Sequence, residues 1–181
     1  HFPIWHQEIE DILVLKNNKG TEDNRVRKLD YSIQISELFY KRFINNQDIS
    51  LFSPHDVDNL YDVFGSPEFD TLYEKYERNK KIPRKTINAQ KLFMELLRER
   101  AETGRIYIMN IDHCNTHSSF KDKVYMSNLC QEITLPTKPV QHIDDDEGEI
   151  ALCILSAINL GLIKDKEELE ELCDLSVRAL D

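Results

Sequence analysis

Residues 89–111 read AQKLFMELLRERAETGRIYIMNI. Leu92, Phe93, Leu96 and Leu97 recur at the three- and four-residue spacing that gathers apolar side chains on one face of a helix, which predicts a helix over 89–101. Gly104 follows where such a helix exits, because glycine adopts a left-handed backbone without a Cβ penalty. Arg105–Ile111 is then rich in β-branched and aromatic residues that suit a pleated surface, which predicts a strand. A helix delivering a short apolar strand through one glycine is a unit of α/β architecture.

The same alternation extends in both directions. Pro3 followed by Ile4, Trp5, Ile9, Ile12, Leu13 and Leu15 predicts a helix over 4–17, and the polar segment 20–28 reads as a loop. Ile33, Leu38, Phe39 and Phe43 predict a helix over 30–45. Ile49–Phe52, ended by Ser53-Pro54, reads as a buried strand, with helices over 56–63 and 67–78 and a loop around Pro83. The apolar run 150–162 fits either a buried strand or a core helix, and 164–180 is a final helix. The fold class is therefore α/β, with mainly buried strands in a parallel sheet or part of a barrel.

At 181 residues and 21.3 kDa the chain suffices for one core and one domain. His1 is not an initiator residue, and Asp181 arrives within a helical pattern that has no stop signal. The expectation is an excerpt, cut at both ends, from a longer chain. A formal charge of −10 repels a polyanion, so nucleic acid is not an expected partner, although a small nucleotide could still be held by backbone amides or one arginine. There is neither an apolar run of bilayer length nor a basic leader before an apolar core, so no membrane association and a cytoplasmic location are expected. Cys114, Cys130, Cys153 and Cys173 are too sparse for a disulfide framework and read as free or redox-active thiols.

The chemistry concentrates in Ser127-Asn128-Leu129-Cys130-Gln131-Glu132-Ile133. Read as a strand, this stretch points Asn128, Cys130 and Glu132 to one face and Leu129, Gln131 and Ile133 to the other. A carboxylate can move a proton, an amide can orient a hydroxyl, and a sulfur can act as nucleophile, redox partner or radical carrier; spacing alone does not choose. The plain alternative for Cys130 and Cys153 is core packing, which is also the reading for Cys173. His113, Cys114 and His117 have the spacing of metal ligands but lack a fourth, which favours structural hydrogen bonding. Asp144–Glu147 reads as solvated surface, and Arg25 and Arg27 fit surface charge as well as a phosphate contact.

Several segments in order carry a resemblance: Pro3-Ile4-Trp5-His6, Leu13–Asn18, Leu51–Val57, Asp112–His117, Ser127–Ile133, Leu135–Pro139, Gly148–Cys153 and Asn159-Leu160-Gly161. Together they resemble the large, catalytic subunit of the class I aerobic ribonucleotide reductases, over nearly the whole chain. The resemblance implies that 1–181 is a partial catalytic barrel domain, part of a ten-stranded α/β barrel with a central finger loop whose tip is Cys130. It implies that a radical generated in a di-iron small subunit reaches the Cys130 sulfur, which abstracts the 3′-hydrogen of a ribonucleoside diphosphate. Glu132 would take the 3′-hydroxyl proton, Asn128 would hold the substrate, and Leu129 and Gln131 would line the same pocket with Cys130. Cys153 would be one of two thiols that end as a disulfide, re-reduced by thioredoxin or glutaredoxin.

By the same resemblance no cofactor or metal is bound directly in this segment. ATP and deoxynucleotide effectors would bind parts of the family's chain absent here, and large subunits would pair as a homodimer. The second redox cysteine, the radical-path tyrosine pair and the tail cysteines also lie outside these residues, so inactivity alone is expected. The competing readings are a structural metal-binding module built on His113, Cys114 and His117, and a protein-interaction module without catalysis.

Overall fold

The computed structural model describes the backbone of residues 1–181 and every side chain except that of Asn24. The chain forms two compact units, His1–Thr137 and Lys138–Asp181.

The first unit is built on a parallel sheet in which β2 (Tyr31–Ile35) lies between β1 (Phe2–Pro3) and β5 (Ile106–Asn110). Tyr31 pairs with Ile106 and Ile35 with Asn110, so Tyr31, Ile33 and Ile35 share one face with Ile106 and Ile108. The opposite face presents Ser32, Gln34, Tyr107 and Met109. A second, antiparallel pair joins β3 (Asp48–Leu51) to β4 (Lys85–Asn88). Around these strands run α1 (Ile9–Leu13), α2 (Glu37–Ile44), α3 (Leu60–Val63), α4 (Glu68–Arg78), α5 (Ala89–Thr103) and α6 (Ile111–Thr116). The core is aromatic as well as aliphatic: Trp5 meets Phe64 edge-on at 5.9 Å, and Phe93 tilts against Phe43 at 5.0 Å and Phe39 at 6.0 Å.

The helix over 89–101 and the strand after Gly104 are both present. Asn88 starts α5 by accepting from the backbone N–H groups of Gln90 and Lys91, each at 3.1 Å, and Gly104 ends it at φ 67°. The strand at 49–52 and the helix at 67–78 also form, within a residue or two. The expected helix over 56–63 is only a 3-10 turn, Pro54–Asp56, followed by the single turn of α3.

Two expected helices are corrected. The helix over 30–45 is a strand followed by a helix. Tyr-Ser-Ile-Gln-Ile alternates, and Ser36 changes the period by capping α2 through the Phe39 N–H. The helix over 4–17 reduces to Ile9–Leu13 because the backbone before it is committed elsewhere. Ile4 N–H donates to the Gln34 carbonyl at 2.9 Å, and the Trp5 carbonyl accepts from Phe52 N–H at 2.8 Å. The strand β4 falls where only a loop was expected, held by its pairing with β3. The architecture is mixed α/β, and among the described residues the parallel strands form an open sheet rather than a closed barrel.

In the second unit an antiparallel bridge between Lys138 and Glu149 closes a loop, inside which the Asp145 carboxylate accepts from Gln141 N–H at 2.7 Å and Glu147 N–H at 2.9 Å. The acidic run 144–147 is therefore a largely exposed turn. Residues 150–159 are neither strand nor helix but irregular backbone, with one 3-10 turn at Leu160–Leu162 before α7 (Lys166–Leu180), which Asp165 caps. Among the described residues no helix is long and apolar enough to cross a membrane.

Candidate active site

The strand reading of 127–133 is overturned: the stretch is a turn. Asn128 ties it off with its own backbone and side chain. Its N–H donates to the Ile133 carbonyl at 3.2 Å, its Oδ1 accepts from Ile133 N–H at 3.0 Å, and its carbonyl accepts from Gln131 N–H at 3.3 Å. An asparagine side chain that bonds nearby backbone competes with a sheet ladder, and here it wins. Gln131 completes the reversal at φ 67°, a left-handed conformation unfavourable to a strand. Leu129 and Cys130 form the tip; the Cys130 thiol is exposed and free, Glu132 is exposed, and Asn128 and Gln131 are half-buried. The five residues expected at the substrate are thus consecutive in one turn, although 128, 130 and 132 do not share a strand face.

The chain leading into this turn is held by side chains rather than by a ladder. The Asn115 amide clasps Val124, donating to its carbonyl at 3.0 Å and accepting from its N–H at 2.9 Å. Gln34 Nε2 donates to the Tyr125 carbonyl at 2.6 Å. His1 bridges β2 to the segment, with Nδ1 at 2.5 Å from Ser32 Oγ and Nε2 at 3.1 Å from the Ser127 carbonyl. Sequence reading missed all three residues. For Gln34 the available signal was a polar side chain set between Ile33 and Ile35 in an apolar strand.

Next to this segment Lys123 lies half-buried, its Nζ 4.7 Å from the centre of the Tyr125 ring and donating to the Asp62 carbonyl. Burial lowers its pKa to about 8. Tyr125 in turn stacks on Tyr61 at 6.3 Å. Asp112 accepts from the Glu37 N–H at the start of α2, and burial raises its carboxyl above the ordinary value.

Cys153 lies in the second unit, in exposed irregular backbone, and is a free thiol rather than a core side chain. Cys173 is likewise exposed on α7, which corrects its reading as core. His113 and His117 meet edge to face at 5.5 Å, with His117 Nδ1 at 3.2 Å from the His113 carbonyl. Burial raises the neighbouring Cys114 thiol. Among the described residues no three histidine, cysteine, aspartate or glutamate groups come together as a metal centre requires. Arg27 pairs with Glu22, and Arg25 Nε donates to the Lys19 carbonyl at 2.9 Å.

These features define a mixed α/β domain that presents an accessible thiol on a turn anchored to the polar face of a parallel sheet. The ribonucleotide reductase barrel-domain model matches residues 1–181, and the chain belongs to that family. It is 60% identical over 185 residues to the ribonucleoside-diphosphate reductase subunit alpha of Buchnera aphidicola subsp. Schizaphis graminum, a match covering 99% of this chain and 24% of that protein. The Haemophilus influenzae subunit alpha is 56% identical over 186 residues, covering 100% of this chain and 25% of that one. The Escherichia coli reductase 1 subunit alpha is 55% identical over 144 residues, 77% of this chain and 19% of its own length. The chain thus spans about a quarter of the length of the relatives that match it throughout.

Proposed function

We propose that this chain is the part of a ribonucleoside-diphosphate reductase large subunit that carries the reacting thiol, and that the whole subunit makes deoxyribonucleoside diphosphates for DNA precursor synthesis. The observation that carries the reading is the turn itself: a free, exposed sulfur at the tip, with an amide two residues before it and a carboxylate two residues after. Asn128 spends Oδ1 on the turn, which leaves its Nδ2 to donate to a substrate hydroxyl.

In this reading a radical delivered from a di-iron small subunit resides on the Cys130 sulfur and takes the 3′-hydrogen of the ribose. Glu132 accepts the 3′-hydroxyl proton while the 2′-hydroxyl, protonated by one of the two dithiol cysteines, leaves as water. Cys153 and a second cysteine outside this chain together supply two electrons and become a disulfide, and Cys130 returns the hydrogen to C3′. Thioredoxin or glutaredoxin then restores the dithiol, in a cytoplasmic homodimer of large subunits whose ATP and deoxynucleotide effectors bind outside these residues.

The test is Cys130→Ser in the full-length subunit, assayed for deoxynucleotide formation with its small subunit. A hydroxyl cannot replace a sulfur as radical carrier, so turnover should vanish while the circular dichroism spectrum is unchanged. Retained turnover would refute the assignment. Glu132→Gln should lower kcat by about a hundredfold or more, the usual contribution of a positioned proton acceptor.

A further inference from the structure

The sheet face beneath the turn is polar where apolar side chains would pack more simply. Parallel register sets Gln34 beside Met109 and Ser32 beside Tyr107. Gln34 has no exposed surface, and a buried amide lowers stability unless its hydrogen bonds are made. Half of them are not. Nε2 reaches the Tyr125 carbonyl at 2.6 Å and Met109 Sδ at 3.5 Å, but Oε1 has no partner among the described residues. A leucine here would avoid that cost, so the amide needs a role other than packing.

Its target supplies one. Residues 123–128 belong to no helix or strand, and backbone groups of Val124, Tyr125 and Ser127 are held instead by the side chains of Asn115, Gln34 and His1. Of these, only Gln34 projects from the middle strand of the sheet, and it grips the chain five residues before the sulfur. The position of the turn is thus referred to β2 through a side chain, which a single substitution can release without disturbing a backbone ladder.

We propose that Gln34 is a positioning residue: its hydrogen bond to the Tyr125 carbonyl, backed by the His1 bridge from Ser32 to Ser127, sets the placement of the Cys130 turn over the sheet. The inference rests on the reading of Cys130 as the reacting thiol. Hydrogen abstraction requires the sulfur at a defined approach to the substrate carbon, and a misplacement of about 1 Å can cost on the order of a hundredfold in rate without a new contact being lost.

The experiment uses the full-length large subunit with its small subunit and reductant, comparing Gln34→Leu, Gln34→Glu and Cys130→Ser. Gln34→Leu should lower kcat by about tenfold to a hundredfold while KM for the ribonucleoside diphosphate changes by less than about threefold, because the substrate's own contacts are intact. Gln34→Glu adds a readout that a merely structural role would not move. Its carboxyl can donate to the Tyr125 carbonyl only when protonated, so kcat relative to wild type should rise as pH falls from about 8 to about 6, given that burial raises carboxyl pKa values.

A kcat for Gln34→Leu within about threefold of wild type, or a loss residing in KM, overturns the inference. So does a Gln34→Glu enzyme whose relative kcat is flat with pH. If Cys130→Ser keeps turnover, it is the reading of the thiol that fails; if Cys130→Ser is inactive and Gln34→Leu is normal, only the positioning role fails.

Discussion

Lys123 shows how far one residue can be moved by its surroundings. Its ammonium is taken partly out of water between the Tyr125 ring and the Asp62 carbonyl, and desolvation outweighs the nearby carboxylates, so its pKa falls to about 8. In the unfolded chain it returns to the ordinary lysine value, so between the two the unfolded state binds more protons. The contribution of Lys123 to stability therefore rises with pH above about 8 and is least favourable below it. Trace acylation followed by peptide mass analysis should give Lys123 a reactivity midpoint near pH 8 in the folded protein, moving up to the ordinary lysine range in urea. A midpoint already at the ordinary value in the folded protein would contradict the burial. Sequence could not reveal this site, because Lys123, Asp62 and Tyr61 meet only through tertiary packing. The chemistry of 128–132 was legible as residue types, yet its geometry was not: the side chain of Asn128 bonds Ile133 and turns an apparent strand into a loop tip.

At the scale of elements, α5 was legible because both its ends and its face are written locally. Asn88 supplies the cap, Leu92 and Leu96 the buried stripe, and Gly104 the exit. Asn88→Ala should lower stability by about 1 kcal/mol through the two unsatisfied N–H groups. Gly104→Ala should cost about 1 kcal/mol for a different reason. A Cβ at Gly104 meets nothing within 4 Å among the described residues, so the penalty is left-handed backbone strain. Urea denaturation should show a lower midpoint with an unchanged slope for both, and additive effects in the double variant, since the residues sit at opposite ends of the helix. The elements that sequence did not reveal are those defined by partners. β1 is two residues long and exists through its register with Ile33 and Gln34, and β4 exists through β3. Ile33 in β2 matches the helical spacing of Leu38, Phe39 and Phe43, and only the Ser36 cap separates the strand from α2.

At the scale of the molecule, residues 150–162 have the composition of a core without the burial of one. Leu155 is 82% exposed, Leu162 75% and Ile150 74%, in a stretch that sequence assigned to a buried strand or core helix. α7 repeats the pattern, with Leu175 at 52%. Apolar side chains in such numbers are normally covered, and the chain spans about a quarter of the relatives that match it throughout, so their cover is expected from the rest of the subunit. In residues 1–181 the run forms neither a buried strand nor a core helix, and the parallel strands of the first unit likewise form an open sheet. Hydrogen exchange can separate composition from context. Amides of 150–163 should exchange fast in the chain of residues 1–181, where the described residues 150–159 belong to no helix or strand, and slowly in the full-length subunit, where burial would pair or shield them. Equal exchange in the two proteins would mean that the run is a surface loop in the parent as well, and that its apolar residues face a partner or solvent rather than the barrel core.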